Sequence, residues 1–354
     1  MVAEAPHVSK ETLASLEATL LNTSGKVPLD KRYRALFTIK ALQNEHAVDI
    51  IAKGAPTDVL APLRYLLSHV FKCQGFSDDS ALLKHELAYV LGQMNMTSAL
   101  PVLESVLKDK QEDPMVRHEC AEAMGAIGSL SSVPVLQQYV DDPERVVRET
   151  CDIAIDRIQW AHSEEGQKHR AQSQEGDQLY TSVDPAPATS GLLSGKGAPA
   201  DASESNIAKL KAQLLDTNIS LFERYRAMFA LRNIGTPAAV DALAAGFSDD
   251  SALFKHEIAF VFGQLLSPHS IPYLVEVLRD PKEADVVRHE AAEALGGIAT
   301  PDVLPHLKEW LVREDSPKIV RESCQVALDM YEYENSNEFQ YADGLDTTHT
   351  AVAV

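Results

Sequence analysis

GFSDDSALLKHELAYVLGQ, from Gly75 to Gln93, returns 171 positions later as GFSDDSALFKHEIAFVFGQ, from Gly246 to Gln264. The copies differ only at Leu83/Phe254, Leu87/Ile258, Tyr89/Phe260 and Leu91/Phe262, and each exchange keeps an apolar or aromatic side chain. A chain that repeats itself this closely is a duplicated chain, and the period of the repeat decides its fold.

The duplication extends in both directions. VRHECAEAMGAIG at Val116 is answered by VRHEAAEALGGIA at Val287, VRETCDIAI at Val147 by VRESCQVAL at Val320, and RYRALFTIKAL at Arg32 by RYRAMFALRNI at Arg224. Within these segments apolar residues recur at helical spacing, as at Cys120, Met124 and Ile127, and breaks such as DDPERV and PKEADV separate neighbours. Units of about 30 to 35 residues, each a helix pair, predict an all-α fold: an α-solenoid of HEAT-like repeats in two pseudo-symmetric halves of about four helix pairs each.

The predicted boundaries are an N-terminal half over 1–160, a linker over 161–205, a C-terminal half over 206–333 and a tail over 334–354. The linker is rich in Ser, Gly, Gln, Pro and Ala and lacks apolar periodicity, so it and the tail are expected to be disordered. Arg32 to Phe76 spans 44 positions against 23 from Arg224 to Phe247, which leaves an insertion of 21 residues, assigned to around 45–70. It contains VLAPLRYLLSHVF, whose apolar content suits a short packed helix or an interaction loop.

Composition narrows the class. The 354 residues are 45% hydrophobic but only 6% aromatic, a balance suited to packed helices. A formal charge of −20 would be repelled by nucleic-acid phosphates and by anionic membrane surfaces, and it favours a cationic substrate or a basic partner. Cys73, Cys120, Cys151 and Cys324 form no C-x-x-C pair, MVAEAPHVSKETL has no apolar signal core, and no 18-residue apolar run occurs. The expected setting is the cytoplasm, with a nuclear fraction compatible with it.

Four His-Glu pairs carry the chemistry: His85-Glu86, His118-Glu119, His256-Glu257 and His289-Glu290. Within each half the pairs are 33 residues apart, and the halves are again offset by 171. Chance would place an acid after His only about twice in a chain of this composition, so four aligned pairs are not ordinary surface residues. Equivalent positions in stacked repeats line one face, so His85 should neighbour His118, and His256 should neighbour His289. Two His and one carboxylate from each half form the open-sided set that suits non-haem iron. H-E-x-x-H and Glu-x-x-His are both absent at these positions, so the ligands must come from separate repeats.

The doubled SDDSAL-x-KHE and VRHE-x-AEA motifs resemble the deoxyhypusine hydroxylase family, over both halves from about Leu13 to Met330 apart from the linker and insertion. The resemblance implies an iron-dependent monooxygenase that uses molecular oxygen to hydroxylate deoxyhypusine on the precursor of eukaryotic translation factor 5A, completing hypusine. It implies about two Fe(II) per chain, held by His85, His118 and Glu119 from the first half and His256, His289 and Glu290 from the second. Glu86 and Glu257 would bind the substrate amines, or else orient the iron-bound His rings. The resemblance also implies a monomer.

Two other readings use the same residues. A non-catalytic HEAT-like scaffold would present an acidic concave surface to basic proteins but has no use for the aligned His-Glu quartet. A structural zinc or manganese site would need closed four-coordination, which two open His/His/Glu sets do not supply.

Several further residues are expected to be structural. In Asp78, Asp79, Asp249 and Asp250 the SDDS segments read as helix caps. Gly92, Gly125, Gly263 and Gly296 read as close-packing points or helix ends. Cys120 reads as core, because its counterpart is Ala291. Lys84, Arg117, Lys255 and Arg288 read as solvated or ion-paired.

Overall fold

The computed structural model describes residues 8–52, 75–172, 180, 182–189 and 201–336, and among them every regular element is helical. In the first half the α-helices are α1 (Lys10–Leu20), α2 (Leu29–Lys40), α3 (Glu45–Ile51), α4 (Ala81–Gln93), α5 (Leu100–Lys108), α6 (Pro114–Ile127), α7 (Val133–Leu136) and α8 (Arg145–His162). A connecting helix α9 (Glu164–Gln172) follows. The second half contains α10 (Glu204–Leu214), α11 (Leu221–Ile234), α12 (Pro237–Ala244), α13 (Ala252–Leu265), α14 (Ile271–Arg279), α15 (Asp285–Ile298), α16 (Leu304–Val312) and α17 (Lys318–Glu334).

Alternate helices stack on one another as an inner layer. In sequence order α2 packs on α4, α4 on α6 and α6 on α8; α8 then meets α11 and α13, and α13, α15 and α17 continue the stack. Helix α17 returns to touch α2 and α4, so the inner layer closes into a ring. Short outer helices such as α5, α14 and α16 back each inner helix and bury Leu103, Leu107, Leu274, Leu278 and Leu307. Closure gives each terminal repeat a neighbour for the apolar face that an open solenoid would leave bare.

The starts of the inner helices follow from the SDDS segments. Ser80 and Ser251 are N-caps whose hydroxyls accept from the amides of Leu83 and Phe254, each at 3.1 Å. Asp78 and Asp249 accept from the amides of Ser80 and Ser251 and also pair with the buried Arg32 and Arg224. The four conserved-register glycines sit where inner helices cross: a Cβ on Gly92 would lie 2.7 Å from Ala123 Cα, and one on Gly296 would lie 2.6 Å from Ala327 Cα. The spacing between inner helices is therefore set by Gly against Ala.

Two boundaries differ from the sequence reading. Helix α3 begins 13 residues after Arg32, as α12 begins 13 after Arg224, so residues 45–51 are the counterpart of α12 and the extra residues come after them. Motif spacing, the basis for an insertion around 45–70, locates the surplus only between Arg32 and Phe76. VLAPLRYLLSHVF lies outside the described residues. Within 161–205, expected to be disordered throughout, α9 is helical and residues 182–189 are packed, with Ala186 fully buried. That packing rests on hydrogen bonds to both halves, which local composition does not report. The tail beyond residue 336 lies outside the described residues.

Candidate metal centre

Each of α4, α6, α13 and α15 sends one imidazole into the ring, and each His is the fifth residue of its helix. Successive residues on a helix diverge by about 100°, so each His and its following Glu reach different parts of the interior. Both are nevertheless buried in all four pairs: the His residues are at most 5% exposed and the Glu residues at most 8%.

The four rings form one cluster. Centroids are 5.4 Å apart for His85 and His118 and 5.3 Å for His256 and His289. Across the halves, His85 lies 5.2 Å from His289 and 5.8 Å from His256, and His118 lies 5.6 Å from His256. Glu119 Oε2 is 3.2 Å from His85 Nε2, and Glu290 Oε2 is 3.5 Å from His256 Nε2. Donor atoms of His85, His118 and Glu119 come within 4.8 Å of one another, as do those of His85, His256 and His289. The second triple crosses the halves, so the sorting of ligands by half implied by the family resemblance is not the only grouping this geometry offers.

The eight ring nitrogens of these histidines are buried and none makes a hydrogen bond. Leaving one buried polar atom unpartnered costs about 1–3 kcal/mol, so eight in one cavity are incompatible with an ordinary polar core. Burial holds His85 down at about 4 and keeps His118 and His289 well below the usual imidazole range. His85, His118 and His289 are therefore neutral, which is the form that donates to a metal.

The carboxylates complete the argument. Burial pushes Glu86, Glu119 and Glu122 up to about 8, with neighbouring carboxylates adding to the rise. Glu257 and Glu293 are driven well above the carboxylate range by burial and by their acidic neighbours. So many acids can ionise together here only beside a strong positive charge, and a divalent cation among neutral imidazoles supplies it. The donor set of four nitrogens with carboxylate oxygens fits iron, manganese or zinc chemistry better than calcium or magnesium.

Of the eight residues named from the sequence, His85, His118, Glu119, His256, His289 and Glu290 meet in this cluster, and Glu86 and Glu257 lie close enough to Glu119 and Glu290 for the charges to interact. Glu86 has the Lys40 ammonium nearby, and Lys40 itself stands 5.3 Å over the Tyr89 ring. Tyr89 meets its counterpart Phe260 edge-on at 6.0 Å. Glu257 Oε1 is buried without a hydrogen-bond partner.

Two acids escaped the sequence reading. Glu293 Oε1 is 3.5 Å from His289 Nδ1 and accepts from the Ser323 hydroxyl at 3.1 Å; Glu122 is its counterpart, again 171 positions earlier. Each follows its His by four residues, one helical turn, which is the spacing that lets a carboxylate orient a ligating ring. The signal for both is the last Glu of VRHE-x-AEA, one helical turn after the His.

The residues expected to be structural behave accordingly. Cys120 is fully buried and its thiol is raised well above its ordinary value by burial. Lys84 and Lys255 pair with Glu112 and Glu283, Arg117 pairs with Asp142, and Arg288 stacks on Trp310 while donating to the Leu278 carbonyl.

The sequence matches the HEAT repeat family over 73–155 and 243–329, and the PBS lyase HEAT-like repeat over 223–249. It is 61% identical to deoxyhypusine hydroxylase of Lentinula edodes over 98% of this chain and 99% of that protein. Deoxyhypusine hydroxylase of Gallus gallus is 45% identical over 96% of this chain and 98% of its own length. The structure of human deoxyhypusine hydroxylase in complex with glycerol superposes with a TM-score of 0.75 at 42% identity, covering 91% of this chain and 96% of that one. Relatives this similar over nearly their whole length establish that the chain belongs to the deoxyhypusine hydroxylase family and is a hydroxylating enzyme.

Proposed function

We propose that the centre is a two-iron site and that this enzyme hydroxylates the deoxyhypusine side chain on the precursor of eukaryotic translation factor 5A. His85, His118, Glu119, His256, His289 and Glu290 would hold about two Fe(II) ions, leaving open coordination positions for molecular oxygen. Bound iron supplies an oxidant strong enough to replace an unactivated C–H bond, which no amino-acid side chain can do. The observation that carries the reading is the cluster of four imidazoles whose buried nitrogens have no hydrogen bonds.

The protein's own contribution is to bind and align. Deoxyhypusine carries a secondary and a primary amine, both protonated at neutral pH, and Glu86 and Glu257, counterparts in the duplication, would receive them. Glu122 and Glu293 hold the imidazole planes, and the buried surroundings exclude water from the reacting carbon. The net charge of −20 favours approach of the cationic side chain. No described helix is long and apolar enough to cross a membrane, and the proposed setting is the cytoplasm, with the protein acting as a monomer.

Metal analysis of protein expressed in iron-replete cells, beside His118→Ala, tests the site. About two irons per chain are expected in the parent, with loss of both iron and hydroxylation in the variant. Zinc alone, or iron-free protein that still hydroxylates, overturns the reading. Glu86→Gln separates the two roles of that residue: a raised KM with iron retained supports amine binding, and loss of iron together with activity assigns it to the metal instead.

A further inference from the structure

The centre has two pseudo-equivalent ends, each bounded by one acid from each half. Glu86 and Glu293 stand at one end, and Glu257 and Glu122 stand at the other. Among the described residues, only the second end carries a segment of the connection between the halves. There Asp184 receives both Arg232 nitrogens, at 2.8 and 2.7 Å, and its carbonyl accepts from Arg157 Nε at 3.0 Å. Val183 N donates to Gln93 Oε1 at 2.7 Å, and Gln264 Nε2 donates to Ser182 Oγ at 2.7 Å. Gln93 and Gln264 are counterparts in the duplication, so the segment is tied to both halves across their symmetry axis.

The segment reaches the acidic interior. Pro185 lines a small cavity together with Glu122, Arg157 and Tyr225, and Asp184 lies close enough to Glu122 and Glu257 for its charge to act on both. Glu257 is 2% exposed and its Oε1 has no partner, so a buried acceptor faces this end. At the first end Lys40, the counterpart of Arg232, stands over Tyr89 and near Glu86 instead, and among the described residues no two-point ion pair like that of Asp184 with Arg232 holds it.

We infer that residues 182–189 stop the Glu257 end of the site, so that the substrate side chain threads in one direction, entering past Glu86 and ending with its terminal ammonium at Glu257 and Glu122. This inference rests on the proposed function. The stop turns a two-fold slot into a measured one: a linear side chain with two ammonium groups must be long enough to reach the blind end and no longer. The carbon presented to the metals is then fixed by the distance from the stop, and not by any contact at that carbon.

The test compares two substrates, the translation factor precursor carrying deoxyhypusine and the same precursor with one extra methylene between the two amines. Selectivity is read as the ratio of kcat/KM values in the parent, in Asp184→Ala and in the shape-conserving Asp184→Asn, with iron content and far-ultraviolet circular dichroism measured on each. The expected result is a parent ratio that falls by about tenfold when the stop is loosened, mainly through improved use of the longer side chain. An unchanged ratio in folded, iron-loaded Asp184→Asn overturns the inference while leaving the hydroxylase reading intact. An iron-loaded parent that hydroxylates neither substrate overturns the proposed function instead.

Discussion

The ring closes at two seams, and they are built alike where they serve the metal centre and differently elsewhere. At the first, where α17 meets α2 and α4, Ser80 Oγ donates to Glu322 at 3.0 Å; at the second, where α8 meets α11 and α13, Ser251 Oγ donates to Glu149 at 2.7 Å. These are the same bond in the two copies. Arg34, however, spans the first seam to make a buried two-point pair with Asp329, at 2.7 and 2.8 Å. Its counterpart Arg226 turns instead to Glu223 and to Glu165 of the connecting helix, which is 54% exposed. Asp156, the counterpart of Asp329, is left with a carboxyl raised by burial and by the nearby Glu223. Duplication preserved the registers that aim the histidines and released the rest of the interface to diverge.

The largest expected effect that would sharpen this contrast comes from the two arginines. Arg34→Ala removes both donors from a buried carboxylate and should cost about 3–5 kcal/mol, whereas Arg226→Ala loses partly exposed pairs worth about 0–1 kcal/mol. Urea denaturation of the two variants measures the difference; equal losses would mean that the seams carry equal loads.

Next come Glu293 and Glu122, each one helical turn after its His. Glu293→Ala should weaken iron binding by about 10- to 100-fold because Glu293 stands against His289. Glu122→Ala, at the end tied down by the 182–189 segment, should do the same at His118. Competition with a calibrated chelator reads both. Retention of iron by Glu293→Ala would mean that the histidine planes are held by packing alone.

A smaller and symmetric effect is expected at the caps. Ser80→Ala and Ser251→Ala each remove an N-cap worth about 1 kcal/mol, and their stability losses should agree with each other, as their bonds do. A marked difference would break the claim that the two seams share this part of their design.

The smallest effect is in acid. Burial pushes the Asp78 carboxyl up, but the Arg32 guanidinium and the Ser80 amide outweigh it, and the group ends below its ordinary value. Its contribution is complete above the unfolded carboxyl value, near 4, and is lost as pH falls through the lower folded value. Asp78→Asn should therefore lower stability at pH 6 and matter progressively less below pH 4. A penalty that persisted undiminished in acid would place the effect in packing.

Much of this was legible beforehand because repeats expose equivalence. An offset of 171 aligns His85 with His256 and His118 with His289 whatever the helices do, and a solenoid then makes aligned residues neighbours. The same offset relates Glu122 to Glu293, but their link to His118 and His289 is one turn of helix and not adjacency in sequence. The connection between the halves was read as disordered from its composition, yet Asp184, Pro185 and Ala186 are packed by partners from both halves, and such partners leave no periodic trace nearby.

Sequence alone determined the helices, their caps, the duplication and the aligned His-Glu pairs, because each depends on spacing within one repeat or on a comparison between repeats. Tertiary structure decided that the array closes into a ring, that four imidazoles meet in a single cluster with donor groupings crossing the halves, and that residues 182–184 are tied to both halves. Those outcomes depend on how far each helix pair rotates from the last and on which arginine finds which carboxylate across a seam. Both are sums over many weak contacts between residues distant in sequence, so no local pattern records them.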